Sequence, residues 1–178
     1  AVDRVDCRKR FVRGDPGPCD VVAMFNEILV PTDGSVGMAR VIDTASRLAE
    51  THDAKLHLVY AVHTASFANL PMETSWESVK TMLREQGETA LNTGKRQATA
   101  DSIETTMLKG PPSRMICQHA TEADCDLIVV GTHGRGGLNR ILLGSIAERV
   151  VRSATVPVMT VRINDTDKQD EKRTERAE

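Results

Sequence analysis

Short apolar runs alternate with stretches of helical period along most of this chain. Residues 27–31 (EILVP) form the first apolar run, closed by the turn-forming string Pro31-Thr-Asp-Gly-Ser35. Across residues 36–51, Ala39, Ile42, Ala45, Leu48 and Ala49 recur at helical spacing. Residues 55–62 (KLHLVYAV) predict a strand, and residues 63–75, which include Pro71, carry no clear period and predict a connection. Residues 76–100 predict a helix with Val79, Met82, Leu83, Ala90 and Leu91 turned inward. Gly87 and Gly94 each weaken that helix by about 1 kcal/mol relative to Ala, so its ends are only loosely set.

The second half repeats the alternation. Residues 102–108 (SIETTML) alternate as a strand, and Gly110-Pro-Pro-Ser113 breaks the chain before a helix carrying Met115, Ile116, Ala120 and Ala123. Residues 126–130 (DLIVV) are an apolar strand of the kind buried on both faces. A glycine-rich stretch, GTHGRGGLNRILLGS (residues 131–145), leads to a helix from about Ser145 to Ser153 and a fifth strand over 156–161 (VPVMTV). This order predicts an α/β fold, a parallel sheet with helices on both faces. Pro157 places the fifth strand at a sheet edge, because proline donates nothing to a ladder. Ligands of such sheets bind beyond the carboxyl ends of the strands, where strand order reverses. The loops 31–35 and 131–145 are therefore the candidates.

Composition narrows the partners. Only 3% of the 178 residues are aromatic, so the core is aliphatic and a base-stacking platform has little support. A net charge of −2 gives no reason to expect a nucleic acid. No apolar run approaches the roughly 20 residues of a membrane span, so no membrane partner is expected. Cys7, Cys19, Cys117 and Cys125 form no C-x-x-C pair, which argues against zinc and, in a chain of this length, for a reducing cytoplasmic setting. Residues 1–25 mix charge with Gly and Pro and are expected to be a poorly ordered extension. The folded domain is expected over 26–163 and a charged tail over 164–178. Met24 stands just before the first strand, and a functional polypeptide could start there.

The glycine stretch fails both familiar nucleotide fingerprints. A P-loop needs G-x-x-x-x-G-K-[ST], and no lysine is present; a dinucleotide turn needs G-x-G-x-x-G, and Asn139 stands at its last position. The physical requirement is met differently. Gly131 and Gly134 let the backbone approach an anion, and Gly144-Ser145 opens a helix whose N-terminus carries free N–H groups. Ser145-Ile-Ala-Glu148 also matches a capping box, so spacing alone leaves phosphate binding and plain capping both open. Asp33, directly after a strand, suits a ribose hydroxyl or Mg²⁺, while the competing reading makes Asp33-Gly34 a turn with Ser35 capping the first helix. His52, His57, His63 and His119 show no metal spacing and read as surface or packing residues. No Ser-His-Asp or Cys-His arrangement emerges.

The spacing Gly131-x-x-Gly134, nine residues, then Gly144-Ser145 resembles the G-2x-G-9x-G-[ST] signature of ATP-binding universal stress proteins. The opening Ile28-Leu-Val-Pro-Thr-Asp-Gly-Ser35 and the ending Ala154-Thr-Val-Pro-Val-Met-Thr-Val161 resemble that family's first strand and loop and its fifth strand. The resemblance spans about residues 25–162. It implies an adenine nucleotide alpha hydrolase-like sheet of order 3-2-1-4-5 and a homodimer through the fifth strands. It further implies that Pro31, Thr32 and Asp33 lie near adenosine and Mg²⁺, with Ala61 or Val62 beside the adenine. Val130, Gly131, His133, Gly134, Gly144, Ser145 and Ile146 would surround the ribose and phosphates. The extension at residues 1–25 departs from the family pattern. The expected function is an ATP-binding regulatory or interaction module of the stress response. The alternatives are an enzyme using ATP, by slow hydrolysis or adenylation, and a dimerisation module without nucleotide.

Overall fold

The computed structural model describes residues 24–63, 76–132 and 143–163; expectations for the remaining segments lie outside the described residues. The elements run β1 (Glu27–Pro31), α1 (Met38–His52), β2 (Lys55–Val62), α2 (Trp76–Gln97), β3 (Ile103–Lys109), α3 (Pro112–Glu122), β4 (Leu127–Gly131), α4 (Ser145–Ser153) and β5 (Val158–Val161). The expected strands and helices are all present, with ends displaced by a few residues at most. The sheet has order β3-β2-β1-β4-β5, and each pairing is parallel. β5 lies at one edge, as Pro157 required. The proline joins the ladder through its carbonyl, which accepts from the Ile128 N–H at 3.0 Å.

Alternation along the strands divides the core into two layers. Ile28, Val30, Leu56, Leu58, Leu127 and Val129 face α1 and α2 and pack with Val41, Ile42, Ala45 and Leu91. Leu29, Val59, Ile128 and Val130 face α3 and α4 and pack with Ile116, Ala120, Ala147 and Val150. β4 supplies side chains to both layers, which is why its sequence shows no polar alternation.

α2 runs unbroken through both of its glycines. The buried stripe is Val79, Leu83, Gly87, Ala90, Leu91 and Gly94, at helical spacing. Met82, expected inside, falls off that stripe and is 45% exposed. The glycines lie where α2 comes closest to its neighbours. A Cβ on Gly87 would stand 2.9 Å from both Met107 Cε and Tyr60 Cδ1, and one on Gly94 would stand 3.2 Å from Ile42 Cδ1. The helix thus gives up propensity for close packing.

At the opposite end of the sheet from the loop candidates, Asp126 joins β1 to β4. Its Oδ2 accepts from the Asn26 backbone N–H at 2.7 Å and from Asn26 Nδ2 at 3.2 Å. Its own N–H donates to the Glu27 carbonyl at 2.9 Å.

Gly87→Ala gains about 1 kcal/mol of helix propensity, but overpacking against the Tyr60 ring costs about 1–3 kcal/mol. A net loss is expected. Gly94→Ala meets only rotatable methyl ends and should be neutral or slightly stabilising. Urea unfolding midpoints check the order, and a Gly87→Ala protein as stable as Gly94→Ala would contradict the packing account.

Candidate functional site

Strand order reverses between β1 and β4, so the loops leaving these strands diverge around a crevice. Thr32 is buried, and its N–H donates to the Val59 carbonyl at 2.8 Å, extending the β1–β2 ladder one residue beyond Pro31. That bond fixes where Asp33 leaves the sheet. Thr32 Oγ1 accepts from the Gly34 N–H at 3.1 Å, and Asp33 Oδ1 accepts from the Ser35 N–H at 3.0 Å and from Ser35 Oγ at 2.7 Å. Gly34 has φ 75°, a left-handed conformation that favours glycine. The loop is therefore a turn fastened by its own side chains. Ser35 does not cap α1: the cap position is Gly37, with no side-chain bond, and the Ser35 carbonyl accepts from the Met38 N–H at 3.0 Å.

Ala61 and Val62 end β2, both half-buried. The Val62 carbonyl accepts from the Gly110 N–H at 2.9 Å, tying that strand end to the turn before α3. On the other side of the crevice, Val130 is buried and Gly131 completes β4. His133 and Gly134 lie outside the described residues. The two ends of their loop are joined: the Thr132 carbonyl accepts from the Gly144 N–H at 2.5 Å. Thr132 also donates its N–H to the Val161 carbonyl at 2.9 Å and accepts the Ile163 N–H on Oγ1 at 3.3 Å. Sequence reading passed over Thr132, since no motif position marks it.

The capping-box reading does not hold. The N-cap of α4 is Gly144, with no side-chain cap bond, and Ser145 is the first helical residue. Glu148 turns its carboxylate to Arg152 at 2.9 Å rather than back towards the helix start. Ser145 and Ile146 are exposed. Among the described residues no carboxylate or hydroxyl caps the opening turn of α4, which presents N–H groups and a partial positive charge. An anion is the chemical partner this geometry favours.

A second strap closes this end. A Cβ on Gly37 would collide with Ile163 Cγ2, so the segment after β5 rests directly on the start of α1. A separate cleft of about 300 Å³ lies between Gly34 and the outer side of α2, lined by Met82, Glu85 and Thr89 among others. It borders the first loop from outside and shares only Gly34 with it. At both described cysteines burial disfavours the thiolate. Burial above all, then the carboxylates of Glu27, Asp126 and Asp124, push the Cys125 thiol up to about 12, and burial pushes Cys117 up as well.

A parallel five-stranded sheet of this order, with helices on both faces and a crevice where strand order reverses, defines an open α/β protein. The family model for the universal stress protein family matches residues 24–162, and the chain belongs to that family. A universal stress protein of Methanocaldococcus jannaschii is 40% identical over 141 residues, covering 78% of this chain and 83% of its own. The universal stress protein UspA from Lactobacillus plantarum shares the fold with a TM-score of 0.67 at 24% identity, covering 77% of this chain and 97% of that one. A universal stress protein in complex with cAMP is 28% identical with a TM-score of 0.54, covering 79% of this chain and 98% of that one.

The backbone at Gly34 and Gly144 separates two roles for glycine. Gly144 has φ −57°, open to any residue, whereas Gly34 does not. Gly34→Ala should lower stability by about 1–2 kcal/mol, and Gly144→Ala by less, about 0.5 kcal/mol, because Ala is a poorer N-cap than Gly. Thermal melts in the absence of ligand compare them, and an equal loss in both variants would refute the assignment.

Proposed function

We propose that this chain binds an adenine nucleotide, ATP with Mg²⁺, and acts as a nucleotide-dependent regulatory or interaction module in the stress response. The observation that carries the reading is the joined neck of the β4–α4 loop. Gly144 bonded to Thr132 sets an α4 N-terminus without a side-chain cap beside the end of β4. In this reading the phosphates and ribose meet Val130, Gly131, His133, Gly134, Gly144, Ser145 and Ile146, with the first N–H groups of α4, at Ser145 and Ile146, turned to the phosphates while the Gly144 N–H stays with Thr132. Pro31, Thr32 and Asp33 face adenosine and the metal, and Ala61 and Val62 border the base. The oxygen donor of Asp33 suits Mg²⁺, which would offset phosphate charge when bound. The relative described in complex with cAMP supports the adenine class.

Acid release of co-purified small molecules, followed by calorimetry with ATP, ADP and AMP in Mg²⁺, tests the reading. Gly144→Val keeps an allowed backbone but sets a branched side chain at the phosphates. Its affinity for ATP should fall at least tenfold, with stability near the parent. Unchanged affinity would remove the phosphates from this helix end, and no binding of any adenine nucleotide would sink the proposal altogether. A regulatory module should turn ATP over far below the ~1–10³ s⁻¹ of ordinary enzymes. Turnover within that range would favour an ATP-using enzyme instead.

The same reading includes a homodimer through β5. Among the described residues β5 has β4 alone as its neighbour in the sheet, which leaves a ladder edge for a second copy. Light scattering at micromolar concentration should give twice the chain mass; a monomer would remove this element. A cytoplasmic setting belongs to the proposal too. Among the described residues no helix is long and apolar enough to cross a membrane.

A further inference from the structure

Two buried side-chain nitrogens among the described residues have no hydrogen-bond partner in the protein: His57 Nδ1 and His119 Nε2. They belong to neighbouring rings. The imidazoles of His57, on β2, and His119, near the end of α3, meet edge to face with centroids 6.0 Å apart and planes at 66°. An unpaired buried polar group costs about 1–3 kcal/mol. One shared partner relieves two such groups at once.

The chemistry of that partner follows from the surroundings. Glu27 Oε2 lies 2.5 Å from His57 Nε2. In the neutral ring a carboxylate there favours the tautomer with its proton on Nε2 and a lone pair on Nδ1. This is the arrangement in which a carboxylate orients a metal-binding histidine from its far nitrogen. The nearby charges also favour a cation. Glu27 and Glu104 lie beside Lys55, which pairs with Glu104, and Glu122 acts on His119 from α3 itself. Two imidazoles sharing one ion at Zn–N distances of about 2.0–2.1 Å hold their ring centres about 5 Å apart. The ring centres stand about 1 Å farther apart than that, so binding an ion requires both rings to turn their free nitrogens toward it. His119 is only half-buried, which leaves a route in from the α3 side.

We propose that His57 and His119 form a two-histidine site for a borderline divalent ion, Zn²⁺ or a similar imidazole-preferring metal, with Glu27 as the carboxylate behind His57. Among the described residues no group of three or more donors could hold a metal, so water completes the coordination. The site lies at the amino end of β2, four residues and about 13 Å before Ala61. It is separate from the nucleotide crevice, and its ion would pin β1 and β2 to α3 and stabilise the fold by mass action.

The test uses the full chain, stripped with chelator, kept reduced and free of nucleotide. ZnCl₂ is titrated by calorimetry, and melting is followed with and without the ion. One Zn²⁺ per chain is expected, with a raised Tm. Both effects should be lost in His119→Gln, a substitution on a half-buried helix position that leaves the buried His57 in place. Glu27→Gln should weaken binding about 10–100-fold, as loss of an orienting carboxylate does. In the parent, Zn²⁺ should shift the ring-nitrogen NMR signal of His57 Nδ1. If His119→Gln binds Zn²⁺ as tightly as the parent, or the parent binds none, the proposal is overturned. An unmoved His57 signal would overturn it as well.

Discussion

The pairing of β1 with β4 is the constraint on which the rest of the molecule depends. Ile28 lies against Leu127 and Leu29 against Ile128, and all four are buried. The Asp126 carboxylate fastens the start of the pair through the Asn26 backbone. From β1 the chain builds outward through β2 to β3, and from β4 it builds the other way to β5. Because the two halves wind in opposite directions, the loops after β1 and β4 separate at the carboxyl end. A crevice follows from that divergence.

Among the described residues, what fills the crevice's rim is mostly backbone. The Thr32 N–H extends the ladder on one side, and Thr132 gathers three chain segments on the other. Of the described side chains at the rim, Asp33 is the charged one. In the proposed reading such a site would hold a ligand by N–H groups and helix polarity, so its specificity would rest on where the segments stand. The opposite end of the sheet is built differently, from paired side chains: Glu27 with His57, Lys55 with Glu104, Asp126 with Asn26. The two ends thus have separate chemistries joined by one aliphatic core.

Much of the fold was legible because it rests on period and punctuation. The unbroken apolar run of residues 127–130 announced a strand covered on both faces, and Pro157 announced an edge. Position 82 misled because α2 has glycine at two of its inward positions, and a hydrophobicity pattern gives glycine no weight. Gly87 is inward because Tyr60 and Met107 occupy the room a side chain would need. The capping box misled because the residue types were right and the geometry was not. Glu148 pairs with Arg152 one turn on, and the cap falls at Gly144.

Sequence by itself determined the order of elements, the class of sheet and the two loops at its carboxyl end, since these follow from local period and turn chemistry. It also carried the glycine spacing whose resemblance pointed to the family. Tertiary structure decided that Thr132 holds the neck of the second loop, that Ser35 bonds to Asp33 rather than capping α1, and that His57 meets His119. The physical reason is separation along the chain. His57 and His119 belong to different elements, and Ile163 meets Thr132 only after β5 has returned to the sheet. No local pattern records a contact that exists only once the layers have packed.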